Sequence, residues 1–225
     1  MSSKTSLRLS ENIQDHFTPE MVETLISLRK HLHQHPELSF KEVNTSKRLV
    51  EELDKLNPIS INRITETGIV ARFKGQDSTR PVVAIRGDID ALPIQEESGL
   101  DYASQNSGVM HACGHDVHAS WAIGAAHLLS KEPAMGDVVV ILQPAEELAK
   151  GAKALIEAGV LDGVSAIFGG HVDRNYEVGQ VVVHEGSIAA NSDKCQFTFI
   201  GKSAHGARPQ EGNNPLLALA EFIQR

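Results

Sequence analysis

Three short stretches of this chain gather the residue types that hold and use a metal ion: Met110-His111-Ala112-Cys113-Gly114-His115-Asp116, Gln143-Pro144-Ala145-Glu146-Glu147 and Gly169-Gly170-His171. Thiolate, imidazole and carboxylate are the protein donors a zinc-like ion prefers. Cys113 and His115 flank Gly114, whose conformational freedom lets a tight turn aim both side chains at one point. Alone, such a pair is more often a core cysteine beside a hydrogen-bonded histidine, and the surrounding motifs decide otherwise. Glu146 and Glu147 are neighbours, and on a helix adjacent side chains diverge by about 100°, so one can face an ion and the other a substrate. A carboxylate beside a ligand carboxylate is the proton acceptor that metal-assisted hydrolysis requires. His171 follows two glycines, where backbone can approach closely. Asp88 and Asp90 offer a carboxylate to orient a ligand histidine through its second ring nitrogen, or, in the case of Asp88, an ion pair with Arg86.

The elements that must position these residues alternate. Thr18-Pro19-Glu20 predicts a helix start, with Val22, Leu25, Ile26, Arg29 and Leu32 at helical spacing and Pro36 closing the segment. Ser39-Phe40-Lys41-Glu42 has the spacing of a capping box before a second helix striped by Val43, Leu49, Val50, Leu53 and Leu56. Residues 69–73, 82–85, 138–142 and 166–168 read as strands, the third so evenly apolar that both its faces must be buried. Helices are expected over 116–129, with Val117, Trp121, Ala125 and Leu128 on one side, and over 146–158, capped by Gly159. The second of these would place Glu146 and Glu147 in the favourable field of a helix N-terminus. Such alternation predicts an α/β fold, a mostly parallel sheet covered by helices on both faces. Arg86-Gly87-Asp88, Gln143-Pro144 and Gly169-Gly170-His171 then fall just past strand carboxyl ends, where open α/β sheets gather their ligands.

Beyond Gly179 the pattern changes. Residues 180–183 and 194–200 read as strands, Cys195 as a core residue of the second, Ser203–Gly206 as a turn, and Asn214-Pro215 as the start of an apolar helix. That helix still runs at Arg225, as expected of a chain cut from a longer one. Residues 1 to about 17 read as a loose leader.

Composition narrows the function classes. The 225 residues are 41% hydrophobic and 22% charged with a formal net charge of −8, which suits a soluble core-forming protein and argues against a nucleic-acid surface. No apolar run reaches membrane-spanning length, and the polar first twenty residues carry no signal-peptide pattern. Two cysteines in unlike settings predict free thiols and a cytoplasmic, reducing location. His31, His33 and His35 cluster at the first helix but read as structural. Cys113 as a nucleophile is set aside, because a nucleophile and its base normally converge from separate elements. Neither a Gly-x-Ser-x-Gly elbow nor a His-Glu-x-x-His motif occurs.

Taken in order, Arg29–His33 with Pro36–Phe40, Asp88–Pro93, Met110–Asp116, Gln143–Glu147 and Ala204-His205 with Pro209 resemble the dinuclear-metal amidohydrolases. That family includes bacterial N-acyl-amino-acid and hippurate hydrolases and plant auxin-conjugate hydrolases. The resemblance covers residues 20 to 225 and implies a zinc-exopeptidase-like catalytic domain over 1–185. Residues 186–225 would begin an inserted α+β lid that serves dimerisation, so the complete protein is expected to be a homodimer. It implies Cys113, His115, Glu147 and His171 as ligands of two divalent ions, zinc or manganese foremost and cobalt or nickel as alternatives. Glu146 would be the catalytic carboxylate and His205 a lid residue reaching the substrate. The implied reaction is hydrolysis of the amide bond of a small N-acyl or N-aroyl amino acid. Glu146 would take a proton from a water shared by the ions and deliver it to the leaving amine, and His205 would help stabilise the developing oxyanion. A metallo-dipeptidase of related fold, or a non-catalytic metal-binding chain, are the alternatives. Family members carry one further ligand histidine beyond the span given, and Gln210 stands after Pro209 where they often have histidine.

Overall fold

Thr18 opens the first long helix in the manner its sequence predicts: the hydroxyl accepts from the Met21 amide, proline follows at the first turn and Glu20 sits in the positive end of the dipole. The computed structural model describes residues 5–6, 16–183, 185–187, 190 and 195–224. In chain order its elements are β1 (Thr5–Ser6), α1 (Pro19–Gln34), α2 (Val43–Asp54), β2 (Ser60–Ile64), β3 (Gly68–Phe73), β4 (Val82–Asp88), α3 (His115–Lys131), β5 (Val138–Gln143), α4 (Gly151–Glu157), β6 (Val164–Gly169), β7 (Val182–Val183), a 3-10 turn (Pro209–Glu211) and α5 (Pro215–Gln224). They form two compact units, residues 7–181 and residues 182–225 with 1–6. Among the described residues, no helix is long and apolar enough to cross a membrane.

The larger unit is built on one five-stranded sheet in the order β2-β3-β5-β4-β6. β4 runs parallel to β5 and β6, while β3 runs antiparallel to both β2 and β5. Four strands therefore point one way and β3 points back, so the sheet is mixed with a parallel majority. β5 lies in the middle, and its alternate residues serve opposite faces. Val140 and Leu142 join Ile69, Ala71 and Phe73 under Leu28, Leu32, Leu49, Leu53, Ala122, Ile123 and Ala126 of α1, α2 and α3. Val139 and Ile141 join Ala84 and Leu155 of α4 on the other side. An unbroken apolar run is what a strand covered on both faces needs.

Helix α3 packs through a different side from the one its bulky residues predict. Ala119, Ala122, Ile123 and Ala126 are buried, whereas Val117, Trp121, Ala125 and Leu128 are only half-covered. The small face wins because the helix lies very close to β4: a Cβ at Gly87 would stand 2.5 Å from the His118 carbonyl oxygen. Strand β2 carries no strong sequence signal. Its hairpin to β3 turns on Thr65 and Glu66, both at positive φ (57° and 69°), without the Asn or Gly that usually marks such a turn.

Two local expectations give way. Ser39 and Glu42 form no capping box, for α2 starts at Val43 with no side-chain cap. Glu146–Ala149 form a turn rather than a helix, and α4 begins only at Gly151. Ala145 and Ala149 both hold positive φ (48° and 53°), which a continuous helix cannot contain. The glycine stop is as expected: Gly159 has φ +77° and donates to the Ile156 carbonyl.

In the smaller unit, β1 pairs antiparallel with β7, so Thr5–Ser6 depart from a loose leader, most of which lies outside the described residues. Lys202 bridges Asn213, and Phe222 of α5 meets Phe197 and Phe199 at ring distances of 4.5 and 5.7 Å. Residues 195–200 form no strand among the described residues, and Cys195 is exposed rather than core, because alternation buries a side chain only where a partner strand or layer covers it. Lys194, counted with that strand, lies outside the described residues.

Candidate metal centre

The register of the parallel strands brings the ends of β4, β5 and β6 to one rim. Asp88 at the end of β4 stands opposite Gln143 at the end of β5, and Arg86 stands opposite Gly169 at the end of β6. Arg86 locks this edge, its guanidinium donating to Gln143 Oε1 (2.9 Å) and pairing with Asp88 Oδ2 (2.7 Å). Both readings of the paired aspartates thus have a physical counterpart: Asp88 forms the ion pair, and Asp90 attends a histidine.

His115 sits at the centre, 1% exposed. Its Nδ1 lies 2.8 Å from the Asp90 carbonyl oxygen and 3.3 Å from Asp90 Oδ1. Both of these groups accept, so Nδ1 carries the proton and Nε2 presents a lone pair. That Nε2 is buried without a hydrogen-bond partner among the described residues, and so is Glu147 Oε1, 3.8 Å away. Asp88 Oδ2 and Glu146 Oε2 each stand 3.7 Å from the same nitrogen. Cys113 Sγ and His171 Nε2 are 3.3 Å apart, and His171 Nδ1 donates to the Val172 carbonyl (2.7 Å), which leaves Nε2 as the acceptor turned to the cysteine. Donor atoms of Cys113, His115 and His171 all lie within 4.8 Å of one another, as do those of His115, Glu146 and Glu147. Two donors that share one tetrahedral ion stand about 3.4–3.6 Å apart. Two orphaned buried atoms at near-ligand spacing are what a cation would satisfy. The residues fit one.

The electrostatics point the same way. Burial pushes the Cys113 thiol up to about 11, helped by the charges of Glu147 and Glu146. Burial likewise raises Glu147, with Glu146 and Asp90 adding to the effect against the pull of His115. Burial works to lower His115, but the Asp90 hydrogen bond and the surrounding carboxylates outweigh it and the net shift is upward. A cluster with this surplus of negative charge holds its protons until a cation replaces them.

Asp90 also organises the Glu146-Glu147 turn, and this is where the failed capping box goes. Its two carboxylate oxygens accept from the main-chain amides of Glu146 (3.0 Å) and Glu147 (3.1 Å), and Ser39 Oγ donates to it as well (2.6 Å). Glu42, fully buried, accepts from the Ala145 amide (2.9 Å). Ser39 and Glu42 were legible as capping residues but brace the site instead. The positive φ of Ala145 is held by these bonds from both sides.

Residues 84–223 match the profile of Peptidase family M20/M25/M40. This chain belongs to that family. Among curated relatives, it is 45% identical over 203 residues to an N-acetylcysteine deacetylase of Bacillus subtilis, covering 88% of this chain and 53% of that protein. It is 42% identical over 207 residues to an N-acyl-L-amino acid amidohydrolase of Geobacillus stearothermophilus, covering 91% of this chain and 56% of that protein. A crystal structure of a Bacillus subtilis dinuclear metal binding peptidase of the M20 family superposes with a TM-score of 0.65 at 50% identity, over 67% of this chain and 43% of that one. The chain spans about half the length of the curated relatives it matches.

In this M20 member the sequence motifs leave part of the rim unread. His118, buried at 1% exposure, bonds Asp88 Oδ1 (2.7 Å) and the Val172 amide (3.0 Å). Beneath Asp116, a second polar chain runs from Arg29 and His33 through Asp116 Oδ2 (2.8 and 2.9 Å) and from His33 to Glu96 (3.1 Å). His33 is therefore structural, as its position suggests. His205 lies in the smaller unit, where its Nδ1 accepts from the Ala207 amide (3.2 Å) and it lines a cavity of about 450 Å³ with Lys202, Pro209 and Asn213.

Proposed function

We propose that this chain carries the metal-holding catalytic portion of an amidohydrolase that cleaves the amide bond of small N-acyl or N-aroyl amino acids. Cys113, His115, Glu147 and His171 are its metal ligands and Glu146 its general base. The observation that supports this most is the pair of buried, partnerless atoms, His115 Nε2 and Glu147 Oε1, 3.8 Å apart beside the converging Cys113 and His171. The relatives' activities on N-acyl amino acids supply the substrate class.

When bound, divalent ions would supply Lewis-acid polarisation of the amide carbonyl and a water of lowered pKa. We assign two per complete subunit, zinc or manganese first and cobalt or nickel next, because a cysteine–histidine–carboxylate set suits all four. The protein's own part begins with Glu146. Its side chain is 40% exposed where that of Glu147 is 20% exposed, so it lies toward the open side of the cluster, where a substrate arrives. Glu146 accepts a proton from the attacking water and returns it to the departing amine nitrogen. Asp90 holds the turn that aims Glu146 and orients His115, and Asp88 braces His118 and Arg86 behind it. His205, from the portion of the chain after residue 185, is assigned to the substrate and its developing oxyanion. Residues 1–185 form the catalytic portion and 186–225 the start of a lid that pairs two subunits as a homodimer. Two free cysteines suit a cytoplasmic location.

The experiment is metal stoichiometry together with turnover of a panel of N-acetyl and N-benzoyl amino acids, set against dipeptides. Glu146→Gln is expected to lower turnover by about 10²–10⁴-fold and leave the number of bound ions unchanged. Retained turnover would remove Glu146 from this role. Preference for dipeptides would move the protein to the dipeptidase alternative, and metal uptake with no turnover would make it a binding chain.

A further inference from the structure

We propose that His118 is a positioning residue that brackets the His171 segment to strand β4, so that His171 meets Cys113. The inference rests on the metal-site reading above and adds a residue that takes no part in ligation.

His118 lies one turn beyond His115 on α3, its ring 5.4 Å from that of His115 and 4.6 Å from that of His171. Both its nitrogens are engaged. The Val172 amide can only donate, so Nε2 accepts from it (3.0 Å) and holds no proton. The proton is then on Nδ1, which donates to Asp88 Oδ1 (2.7 Å). Asp88 is fixed in turn by Arg86 through its other oxygen (2.7 Å). The donor atoms of Asp88, His115 and His118 are close enough to hold an ion themselves. Yet the His118 lone pair could reach an ion only by releasing the Val172 amide, and the other nitrogen carries the proton bound to Asp88. His118 is built as a bracket.

The bracket has something to hold. His171 follows β6, an edge strand whose residues 165–169 are exposed, and His171 and Val172 are themselves exposed. Its imidazole is oriented by the Val172 carbonyl (2.7 Å), so wherever the Val172 peptide goes, His171 follows. The Val172 side chain caps the same junction: a Cβ on Gly114, at φ +83°, would fall 2.4 Å from Val172 Cγ2. Val172 thus rests on the Cys113–His115 turn, with its amide held by His118 from the buried side. Outer groups of this kind set the direction of a ligand histidine, and losing one typically costs about 10–100-fold in metal affinity.

The test is zinc affinity of the full 225-residue chain by competition with a chromophoric chelator, with cobalt uptake followed through its thiolate charge-transfer band as a report on Cys113. His118→Phe keeps the ring and removes both bonds, and is expected to weaken zinc about 10–100-fold. His118→Gln, whose carboxamide can accept and donate at once, is expected to recover most of that loss. In a His171→Ala background, His118→Phe is expected to add less than about twofold, because its effect passes through His171. Zinc affinity of His118→Phe within about twofold of the parent overturns the proposal, and so does an equal loss with and without His171. Should His118→Phe not fold, Val172→Pro removes the donor from the exposed side and leaves α3 untouched; an unchanged affinity there is equally fatal. A parent chain that takes up no zinc at all overturns the metal reading itself, and the bracket's role with it, and is told apart from the other failures by that first titration.

Discussion

Strands β5 and β6 are alike in sequence and opposite in circumstance. Both are short and apolar, both run parallel to β4, and both end in a rim motif. β5 is buried along its whole length between α1–α3 and α4, whereas Ile167 and Phe168 of β6 are 49% and 61% exposed. The difference carries through to the donors each strand delivers. Glu146 and Glu147 arrive on a turn whose amides are pinned by Asp90 and, through Ala145, by Glu42. His171 arrives on an exposed segment tied down by the Val172 amide and by its own contact with Cys113. One half of the site is set by the core. The other is set by a few bonds, and a cation that draws Cys113 and His171 together would complete it.

The largest effect expected from this contrast is in the core. Leu142→Ala empties a site of 0% exposure directly beneath the rim and should cost about 2–5 kcal/mol of unfolding free energy, read from the urea midpoint. A loss below about 1 kcal/mol would mean that β5 is no more constrained than β6 and would end the comparison.

Next comes the seam between the halves. Gly114→Ala forces a side chain into φ +83° and drives its Cβ against Val172. The backbone alone should cost about 1–2 kcal/mol, and displacement of Val172 should weaken zinc further than Leu142→Ala does. If zinc affinity tracks stability equally in the two variants, the seam has no special bearing on the metal.

How far the sequence discloses each half follows from the same physics. β5 is legible because burial on both faces leaves an unmistakable apolar run, and Cys113, His115, Glu146 and Glu147 are legible because their chemistry is written in adjacent letters. What stays hidden is whatever depends on a distant partner. Ser39 and Glu42 carry a local capping pattern, but the amides they would serve lose to an aspartate and a turn about fifty and a hundred residues further on. Glu146 and Glu147 look like the head of a helix because nothing local announces that Ala145 and Ala149 adopt positive φ. His118 shows only as one more histidine on a helix, since its meaning lies in Asp88 and Val172. The buried side of α3 is misjudged for a related reason: close approach to Gly87 selects alanines over larger apolar residues. In the smaller unit, alternation over 195–200 promises a strand that no partner among the described residues completes.

A pH titration sharpens the contrast from within the buried half. The Asp116 hydrogen bond, aided by one from Glu96 and opposed by burial, raises His33 above its ordinary 6.5. The folded state therefore binds this proton more tightly than the unfolded chain, so the stabilisation is fully present below about pH 6.5 and is lost as pH rises through the raised folded value. His33→Gln should lower the urea midpoint most near pH 6, with the gap to the parent closing as the solution is made alkaline. A gap that is constant from pH 6 to 9 would show that packing, not the proton, makes the contribution.

The smallest effect is predicted where the sequence looks most like core. Phe168→Ser replaces a large apolar side chain in the middle of a strand, a change that would be severe in β5. At 61% exposure, however, the ring has little apolar area to return to water, and its removal leaves no cavity. The β6 backbone bonds to β4 are untouched by the substitution. The unfolding free energy of this chain should therefore change by less than about 0.5 kcal/mol, the range of ordinary surface positions. Zinc affinity should hold as well, because His171 is located through Val172 and His118 rather than through the face of β6 that carries Phe168. A destabilisation approaching that of Leu142→Ala would mean that this face is covered in solution by a second copy or another segment, and that the two strands differ less than their exposure indicates. Sedimentation of the parent and the variant would separate those cases, because only a covering copy changes mass when Phe168 is lost.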